Sequence, residues 1–474
     1  MIGCFESARD LATLLLARRV SAREVMAAHL DQINRLNPTI NAIVSKLDDK
    51  RCLALADEAD RKAARAEVLG PLHGLPIAFK DLQPAVGFPW TRGSPIYKGA
   101  MPAEDSVLVE RLRKAGALPI GKTNVPEFGM GSHTYNTVYG TTRNPYDLTK
   151  SAGGSSGGAA AAVASGMLPM ADGTDLGGSL RNPASFNNIV ALRPSPGLVP
   201  TAPDPFAWLG LGVNGPLARS VADVAFLLSV MAGPDPRDPG CHPSDPARFG
   251  GPLDRDIRGT RVAWCPDLGG LPLDPRVRSV LDQQRSTFES LGCIVDDACP
   301  DFAGVDAVFL TLRAWRSAAL LGPLLANHRH EMKPEAIGEI EAGRALSGGD
   351  VAMAIVQHGH LMERVRTFQD QYPFLICAAT QVPPFDAALD WPKTIDGVEM
   401  DHYVAWMKSC YWISATCRPA ISVPAGFTSD DLPVGIQIVG RYRDDLGVLQ
   451  IGQAFEHAVG EGRRRPLIAD PAAR

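Results

Sequence analysis

Residues 153–183 read GGSSGGAAAAVASGMLPMADGTDLGGSLRNP, and this segment decides how the rest of the chain is interpreted. It places Ser155 and Ser179 in separate glycine-rich turns, which bend the backbone sharply and leave N–H groups free to face a developing negative charge. Upstream, Lys80 follows the apolar run of residues 75–79. An amine delivered into an apolar pocket has a lowered pKa and can act as a base. These are the parts of a hydrolase that attacks carbonyl groups without histidine.

The composition is typical of a soluble globular protein. The chain has 474 residues, of which 45% are hydrophobic and 21% charged, with a net charge of −5. Charges of both signs are interspersed, which argues against a nucleic-acid partner or an anionic membrane partner. The N-terminal residues predict an amphipathic helix rather than a secretion signal, and no run of about 18 apolar residues predicts a membrane span. We therefore expect a cytoplasmic protein.

Short apolar runs alternate with helical patterns from residue 75 onward. This alternation predicts an α/β fold in which helices cover both faces of one large mixed β-sheet. The strongest strand predictions are residues 117–120, 261–264, 420–423 and 435–439, and the strongest helix predictions are residues 107–115, 159–166 and 221–231. We expect a single domain over residues 1–474. It has N-terminal helices over about residues 1–67 and a variable, mainly helical cap over about residues 270–370.

The first serine turn also matches the G-x-S-x-G pattern of a nucleophile elbow. In that alternative the protein is an α/β-hydrolase esterase with Ser155 as nucleophile and a later Asp and His. An elbow needs a strand before the serine, whereas residues 144–151 are turn-like, so this interpretation is disfavoured. A phosphate-binding loop is disfavoured too, because Gly158 is followed by alanines rather than by Lys and Ser or Thr.

Neither the cysteines nor the histidines form a metal-binding motif. The nine cysteines are widely spread and contain no CxxC, which is typical of reduced thiols used as small apolar residues. The histidine pairs His328/His330 and His358/His360 have no carboxylate or cysteine in a recognisable ligand arrangement, so we expect them at the surface. The sequence therefore predicts no metal and no cofactor.

Taken together, the lysine segment and the two serine turns resemble the amidase signature family. The resemblance extends over about residues 5–460 and is weakest around residues 270–370. The matching segments are residues 74–76, Lys80-Asp81, residues 121–124, Glu127-Phe128, Asn144-Pro145, residues 153–183, residues 215–219, residues 419–426 and residues 432–437.

By this resemblance, Ser179 is the nucleophile and Ser155 is a bridging serine that follows a cis peptide bond with Gly154. Deprotonated Lys80 takes a proton from Ser155, which takes one from Ser179 as the latter attacks the carbonyl carbon. The relay then runs backwards to protonate the leaving amine, and water hydrolyses the acyl-enzyme. The resemblance also implies an oxyanion hole made by the backbone N–H groups of Leu176, Gly177, Gly178 and Ser179.

The substrate is implied only in outline. The resemblance places Gly129, Met130 and Gly131 on one side of the site, and Phe206 and Trp208 lie in a loop expected to form the other wall. Such a pocket is apolar and suits aryl or acyl groups. We therefore expect a small-molecule amide or carbamate (urethane) as substrate, with ester hydrolysis as a side activity.

Two other functions remain open at this point. One is a glutamine-hydrolysing amidotransferase subunit that works only with a partner chain. It requires a cationic group for the substrate carboxylate, and the sequence does not identify one. The other is a catalytically silent binding protein, which the intact Lys80, Ser155 and Ser179 disfavour. Homodimers are common in the family, so the resemblance also makes a homodimer an expectation.

Of two acidic residues near the nucleophile, the sequence suggests a role for Asp175 but none for Asp172. Asp175 and Arg181 are placed to pair across the Ser179 turn and stiffen it. Asp172 puts a charge at a position where family members commonly have small or apolar residues, and the sequence offers no physical reason for it.

Overall fold

An eight-stranded mixed β-sheet forms the centre of the molecule, in a computed structural model that describes residues 3–469. The described strands are β1 (Ile43–Val44), β2 (Pro76–Lys80), β3 (Leu118–Thr123), β4 (Met170–Asp175), β5 (Val190–Arg193), β6 (Val213–Ala218), β7 (Arg261–Trp264), β8 (Ile294–Asp297), β9 (Phe374–Ala378), β10 (Thr394–Ile395), β11 (Val398–Glu399), β12 (Ala420–Phe427) and β13 (Pro433–Val439). The described α-helices are α1 (Ala8–Leu16), α2 (Ala22–Ile40), α3 (Asp49–Ala64), α4 (Val107–Lys114), α5 (Gly157–Ala164), α6 (Arg181–Phe186), α7 (Val221–Met231), α8 (Pro275–Asp282), α9 (Arg285–Ser290), α10 (Val305–Leu321), α11 (Leu325–His328), α12 (Pro334–Ala345), α13 (Gly348–Gln371), α14 (Lys408–Ala415) and α15 (Asp445–Val459).

The central sheet has the strand order β4-β6-β5-β12-β13-β9-β7-β8. Neighbours from β4 to β9 are antiparallel, whereas β9, β7 and β8 are parallel. Successive residues of a strand face opposite sides of a sheet. Ile421 of β12 accordingly contacts Gly452 of α15, while the next residue, Ser422, faces the side on which Ser185 of α6 packs. Helices therefore cover both faces, and the predicted α/β class with a large mixed sheet is confirmed.

Lys80 lies outside this central sheet, on a three-stranded sheet of order β1-β3-β2. Strand β2 is parallel to β3, with Lys80 opposite Thr123. Every residue of β2 is buried, which explains the uninterrupted apolar run before the lysine. Strand β2 also packs beside β4 of the central sheet. The end of β2 is thereby brought next to the strand that leads into the Ser179 turn.

Helix α5 approaches β3 so closely that its first turn accommodates only glycine. A Cβ atom on Gly158 would lie 2.3 Å from the backbone nitrogen of Asn124, which directly follows β3. All eight residues of α5 are buried. The glycines and alanines after Ser155 thus permit close packing of the helix, and this packing fixes the Ser155 turn against the sheet that carries Lys80.

The region predicted as a mainly helical cap, about residues 270–370, contains helices α8 to α13 and one strand, β8. Strand β8 pairs in parallel with β7 at the edge of the central sheet, so residues up to Asp297 belong to the core. The helical part begins with α10 and ends with α13, and α10 packs against α12, α13 and α14. The helical stretch Val305–Glu331 is long and apolar enough to cross a membrane by length and mean hydropathy (1.2), and half of its most apolar window is buried within the molecule.

Candidate active site

The Lys80 amine lies in a buried cluster of hydroxyl groups. Its Nζ is 2.9 Å from Oγ of Ser155 and 2.8 Å from both Oγ of Ser156 and Oγ1 of Thr174. The lysine side chain is fully buried. A neutral amine has two N–H hydrogens and one lone pair, so at most two of the three hydroxyls accept a hydrogen bond from it. The third must donate to the lone pair, which is the geometry of a base poised to take a hydroxyl proton.

Burial sets the protonation state of this amine. Desolvation lowers the pKa of Lys80 from 10.5 to about 7, although the negative charges of Asp172 and Asp175 oppose the decrease. Near neutral pH a substantial fraction of Lys80 is therefore deprotonated, as a general base must be.

Asp172, which the sequence left unexplained, holds the strand that carries the lysine. Its carboxylate accepts a hydrogen bond from the backbone N–H of Lys80, at 3.2 Å to Oδ1 and 3.3 Å to Oδ2. Burial raises the pKa of Asp172 to about 6, and that backbone N–H with the nearby charges of Lys122 and Lys80 opposes the increase. Asp172 thus fixes the end of β2 and supplies a negative charge close to two buried lysines.

The Ser155 turn is held by side chains from other segments. The Gly154–Ser155 peptide bond is cis, as the family resemblance implies. Oγ of Ser132 donates to the carbonyl of Gly154 at 2.6 Å, and Nδ2 of Asn182 donates to Oγ of Ser132 at 2.8 Å. In the described chain no strand directly precedes Ser155, and none of its hydrogen bonds there involves a histidine. These contacts are not those of a nucleophile elbow.

Asp175, the last residue of β4, organises the Ser179 turn. Its carboxylate accepts hydrogen bonds from the backbone N–H of Gly178 at 2.9 Å and of Leu180 at 3.1 Å. It also forms ion pairs with Arg181 at 2.9 Å and Arg193 at 3.3 Å, all fully buried. Burial alone would raise the pKa of Asp175, but the two guanidinium groups hold it well below its usual range. The predicted Asp175–Arg181 pair is confirmed.

One of the four predicted oxyanion-hole donors is already occupied. The N–H of Gly178 points at Asp175, so it is not available to a substrate oxygen, and the prediction for this residue is wrong. The glycine itself is required for another reason: its φ is +114°, and a Cβ there would lie 2.5 Å from Cβ of Cys410. None of the hydrogen bonds between described residues uses the backbone N–H groups of Leu176, Gly177 or Ser179.

The two serine turns face one cavity. The N–H of Ser156 donates to the carbonyl of Ser179 at 3.2 Å, which ties the turns together. Ser155, Thr174, Leu176 and Ser179 all line a cavity of about 320 Å³. Within residues 3–469 no hydrogen bond joins the hydroxyls of Ser155 and Ser179. Catalytic hydrogen bonds are often long without substrate and tighten when it binds.

Only part of the predicted substrate wall lies on this cavity. Gly129 and Met130 line it, whereas Gly131 lines a small neighbouring pocket. Phe206 and Trp208 do not line the cavity, because they pack with Trp315 at ring-centroid distances of 5.2 and 6.4 Å.

Other side chains, which sequence reasoning did not identify, form much of the wall. Their apolar members include Trp90 and Leu320, and their charged members are Arg92, Asp204, Arg313, Arg316 and Glu339. Phe128, of the matching segment Glu127-Phe128, also lines the cavity. Arg313, Arg316 and Leu320 come from α10, so this helix contributes to the cavity wall. No local sequence signal distinguishes these residues, because separate loops and helices bring them together.

The histidines take no part in this arrangement. Among residues 3–469 no group of three or more His, Cys, Asp or Glu side chains is placed to hold a metal ion. The surface expectation is wrong for His358, which is buried with its Nε2 2.8 Å from the carbonyl of Ala415. His330 is exposed, and Nδ1 of His328 lies 2.8 Å from Glu331.

Comparisons with known proteins identify the family of this chain. Residues 24–449 match the family model described as Amidase. The chain belongs to the amidase signature family. It is 35% identical over 458 residues to an acylamidase from Rhodococcus erythropolis, covering 95% of this chain and 94% of that protein. It is 34% identical over 499 residues to a glutamyl-tRNA(Gln) amidotransferase subunit from Acidothermus cellulolyticus, covering 98% and 97%.

The fold is shared with solved structures of the family. A bacterial aryl acylamidase of the amidase signature family superposes with a TM-score of 0.88 at 28% identity, covering 98% of this chain and 99% of that one. The protein is therefore an amidase, an enzyme that hydrolyses carbon–nitrogen bonds of small-molecule amides.

Proposed function

We propose that the protein cleaves amides through an acyl-enzyme on Ser179, with Ser155 and Lys80 as the proton relay. The observation that carries this proposal is the buried Lys80 amine, which has a pKa of about 7 and lies 2.9 Å from Oγ of Ser155. Ser155 and Ser179 line the same cavity, so a substrate carbonyl placed at Ser179 is within reach of the relay.

The chemical steps follow from the positions of these groups. Lys80 takes the Ser155 proton as Ser155 takes the Ser179 proton, and Ser179 attacks the carbonyl carbon. The negative charge on the carbonyl oxygen is stabilised by the backbone N–H groups of Leu176, Gly177 and Ser179, which remain free of partners in the described residues. The relay returns the proton to the leaving amine, and water then releases the acyl group.

For substrate class, we favour aryl or acyl amides, with carbamates as close analogues. Trp90, Phe128 and Leu320 give the cavity apolar walls. Its volume of about 320 Å³ is near the lower end of the range for small-ligand pockets. The R. erythropolis relative is an acylamidase, and the structural neighbour is an aryl acylamidase. A carbamate presents the same carbonyl and nitrogen to Ser179.

A second candidate is hydrolysis of glutamine within a larger amidotransferase. The relative from A. cellulolyticus is part of such an amidotransferase. That function needs a cation for the substrate carboxylate, and Arg92 on the cavity wall is such a cation. We rank it second because it also needs a partner chain.

Three further expectations belong to this proposal. The chain works as a single domain whose helical cap, residues 305–371, shapes the substrate pocket. It acts on small molecules in the cytoplasm, without nucleic acid or membrane as partner. As in many members of the family, it assembles as a homodimer.

The test uses purified protein without any partner chain. Wild type, Ser179→Ala and the control Ser286→Ala, which removes an exposed serine, are assayed on acetanilide, an aryl carbamate and glutamine. We expect wild type and Ser286→Ala to release aniline, and Ser179→Ala to lose at least about 1,000-fold in rate. Near-normal turnover by Ser179→Ala would refute the assignment. Turnover of glutamine alone would favour the second candidate.

A further inference from the structure

The cavity carries three arginines, and two of them already have carboxylate partners. Nη1 of Arg313 is 2.6 Å from Oε2 of Glu339, and Nη2 of Arg316 is 2.7 Å from Oδ2 of Asp204. These pairs neutralise their charges within the protein. The third arginine, Arg92, forms no ion pair with any residue in the described range 3–469.

Arg92 is nevertheless held in a defined position. Its guanidinium carbon lies 5.4 Å from the ring centroid of Trp90, 5.0 Å from that of Tyr97 and 5.6 Å from that of Phe128. The backbone of Arg92 adopts a left-handed conformation (φ 55°), and its carbonyl accepts a 2.7 Å hydrogen bond from the N–H of Phe128. The three aromatic rings and the fixed loop thus hold the Arg92 guanidinium, a planar group with several N–H donors, at the cavity wall.

The electrostatics of this position favour an anion. Desolvation lowers the pKa of Arg92, and the positive charge of nearby Arg316 lowers it further, while the Tyr97 phenol opposes both effects. An arginine remains protonated in proteins, so its charge stays and is only partly compensated by ring faces. A bound carboxylate would accept two parallel N–H···O hydrogen bonds from the Arg92 guanidinium and offset its charge.

The backbone N–H groups at Ser179 already serve the carbonyl oxygen under attack, so they leave Arg92 for a different group of the substrate. We propose that Arg92 binds a carboxylate on the substrate, so that the preferred substrate is an aryl or acyl amide carrying a carboxylate near the scissile bond. This inference rests on the proposed function, because it takes the cavity at Ser179 as the place where the amide binds.

Binding, rather than turnover, tests the inference most cleanly. Titration calorimetry on Ser179→Ala compares two acids with their neutral amides. N-phenylsuccinamic acid against N-phenylsuccinamide places the carboxylate on the acyl side, and 4-acetamidobenzoate against 4-acetamidobenzamide places it on the amine side. Each pair is measured again on double variants that combine Ser179→Ala with Arg92→Gln, with Arg92→Lys or with the control Arg366→Gln. The control removes an exposed, ion-paired arginine.

We expect the acid of at least one pair to bind at least about tenfold more tightly than its amide. Arg92→Gln should abolish that ratio, Arg92→Lys should keep part of it, and Arg366→Gln should preserve it. Equal or weaker binding of both acids, no binding of any compound, or an acid preference that survives Arg92→Gln would each overturn the inference. If Arg92→Gln does not fold, two results decide whether the inference holds: the ratio of acid to amide affinity in Ser179→Ala itself, and the decrease of that ratio when Arg92→Lys is added.

Release of the aryl amine by Ser179→Ala in the same samples, which is aniline from the first pair and 4-aminobenzoate or 4-aminobenzamide from the second, would instead refute the proposed nucleophile. The two failures are therefore distinguishable.

Discussion

Replacing Lys80 with methionine should abolish activity and make the protein more stable below neutral pH. The folded protein lowers the pKa of Lys80 from 10.5 to about 7 because the amine is buried. Between these values the unfolded state binds a proton that the folded state has released, so wild-type stability rises with pH. Below about pH 7 both states are protonated, and the full cost of the buried charge opposes folding.

The size of the effect follows from the pKa values and the contacts. The decrease from 10.5 to about 7 corresponds to about 5 kcal/mol, at about 1.4 kcal/mol for each pH unit. Methionine fills the same space without a charge, but it leaves the hydroxyls of Ser155, Ser156 and Thr174 without the amine, at about 1 kcal/mol each. Lys80→Met should therefore gain about 2 kcal/mol in free energy of unfolding at pH 6.

The pH dependence separates this explanation from simple repacking. Above about pH 7 the advantage of Lys80→Met should fall by about 1.4 kcal/mol for each pH unit, and it should change sign between about pH 8 and 9. Guanidinium unfolding followed by tryptophan fluorescence at pH 6, 7.5 and 9 measures the difference. Lys50→Met controls for the loss of one positive charge at an exposed site. A variant less stable than wild type at pH 6 would contradict the predicted cost of the buried charge, and a difference independent of pH would show that the pKa of Lys80 is not lowered in the folded protein.

The remaining predictions concern the two aspartates of β4. For a neutral anilide, kcat/KM should rise with pH around a midpoint near 7 as Lys80 loses its proton, and Asp172→Asn should move that midpoint to lower pH because the carboxylate charge raises the pKa of Lys80. A pH–rate profile between pH 5 and 9 checks this, and an unmoved or higher midpoint contradicts it. Asp175→Asn should destabilise the protein by about 3–5 kcal/mol, because Arg181 and Arg193 would stay buried without their counter-charge. Chemical denaturation measures the loss, and a decrease below about 1 kcal/mol would speak against the buried ion pairs.

The sequence predicted best those elements that local pattern determines. The helix at Val221–Met231 and the strand at Arg261–Trp264 have the predicted bounds, since each is an apolar run with clear ends. The sequence analysis missed β8, at Ile294–Asp297, because none of its residues is buried and it is recognisable as a strand only by its pairing with β7.

The site residues likewise separate into those that a local motif identifies and those that depend on distant contacts. The motif identified Lys80 and the two serines through their glycine-rich turns, whereas the functions of Asp172 and Arg92 depend on partners far along the chain. Asp172 accepts a hydrogen bond from a backbone group 92 residues away. The proposed role of Arg92 depends on its forming no ion pair with an acidic residue among those described. A single sequence contains no signal for either arrangement, because both arise only when β2, β4 and the cap pack together.

The most direct test of the central claim is to find the acyl group on the enzyme. Wild-type protein is mixed with an excess of an aryl ester that carries the same acyl group as a cleaved amide, because an ester acylates a serine faster than an amide does. The reaction is quenched in acid within seconds. Peptide mass spectrometry should then locate the added acyl mass on Ser179, and Ser179→Ala should carry none. An adduct on Ser155 or on another residue, or an unchanged adduct in Ser179→Ala, would contradict the account.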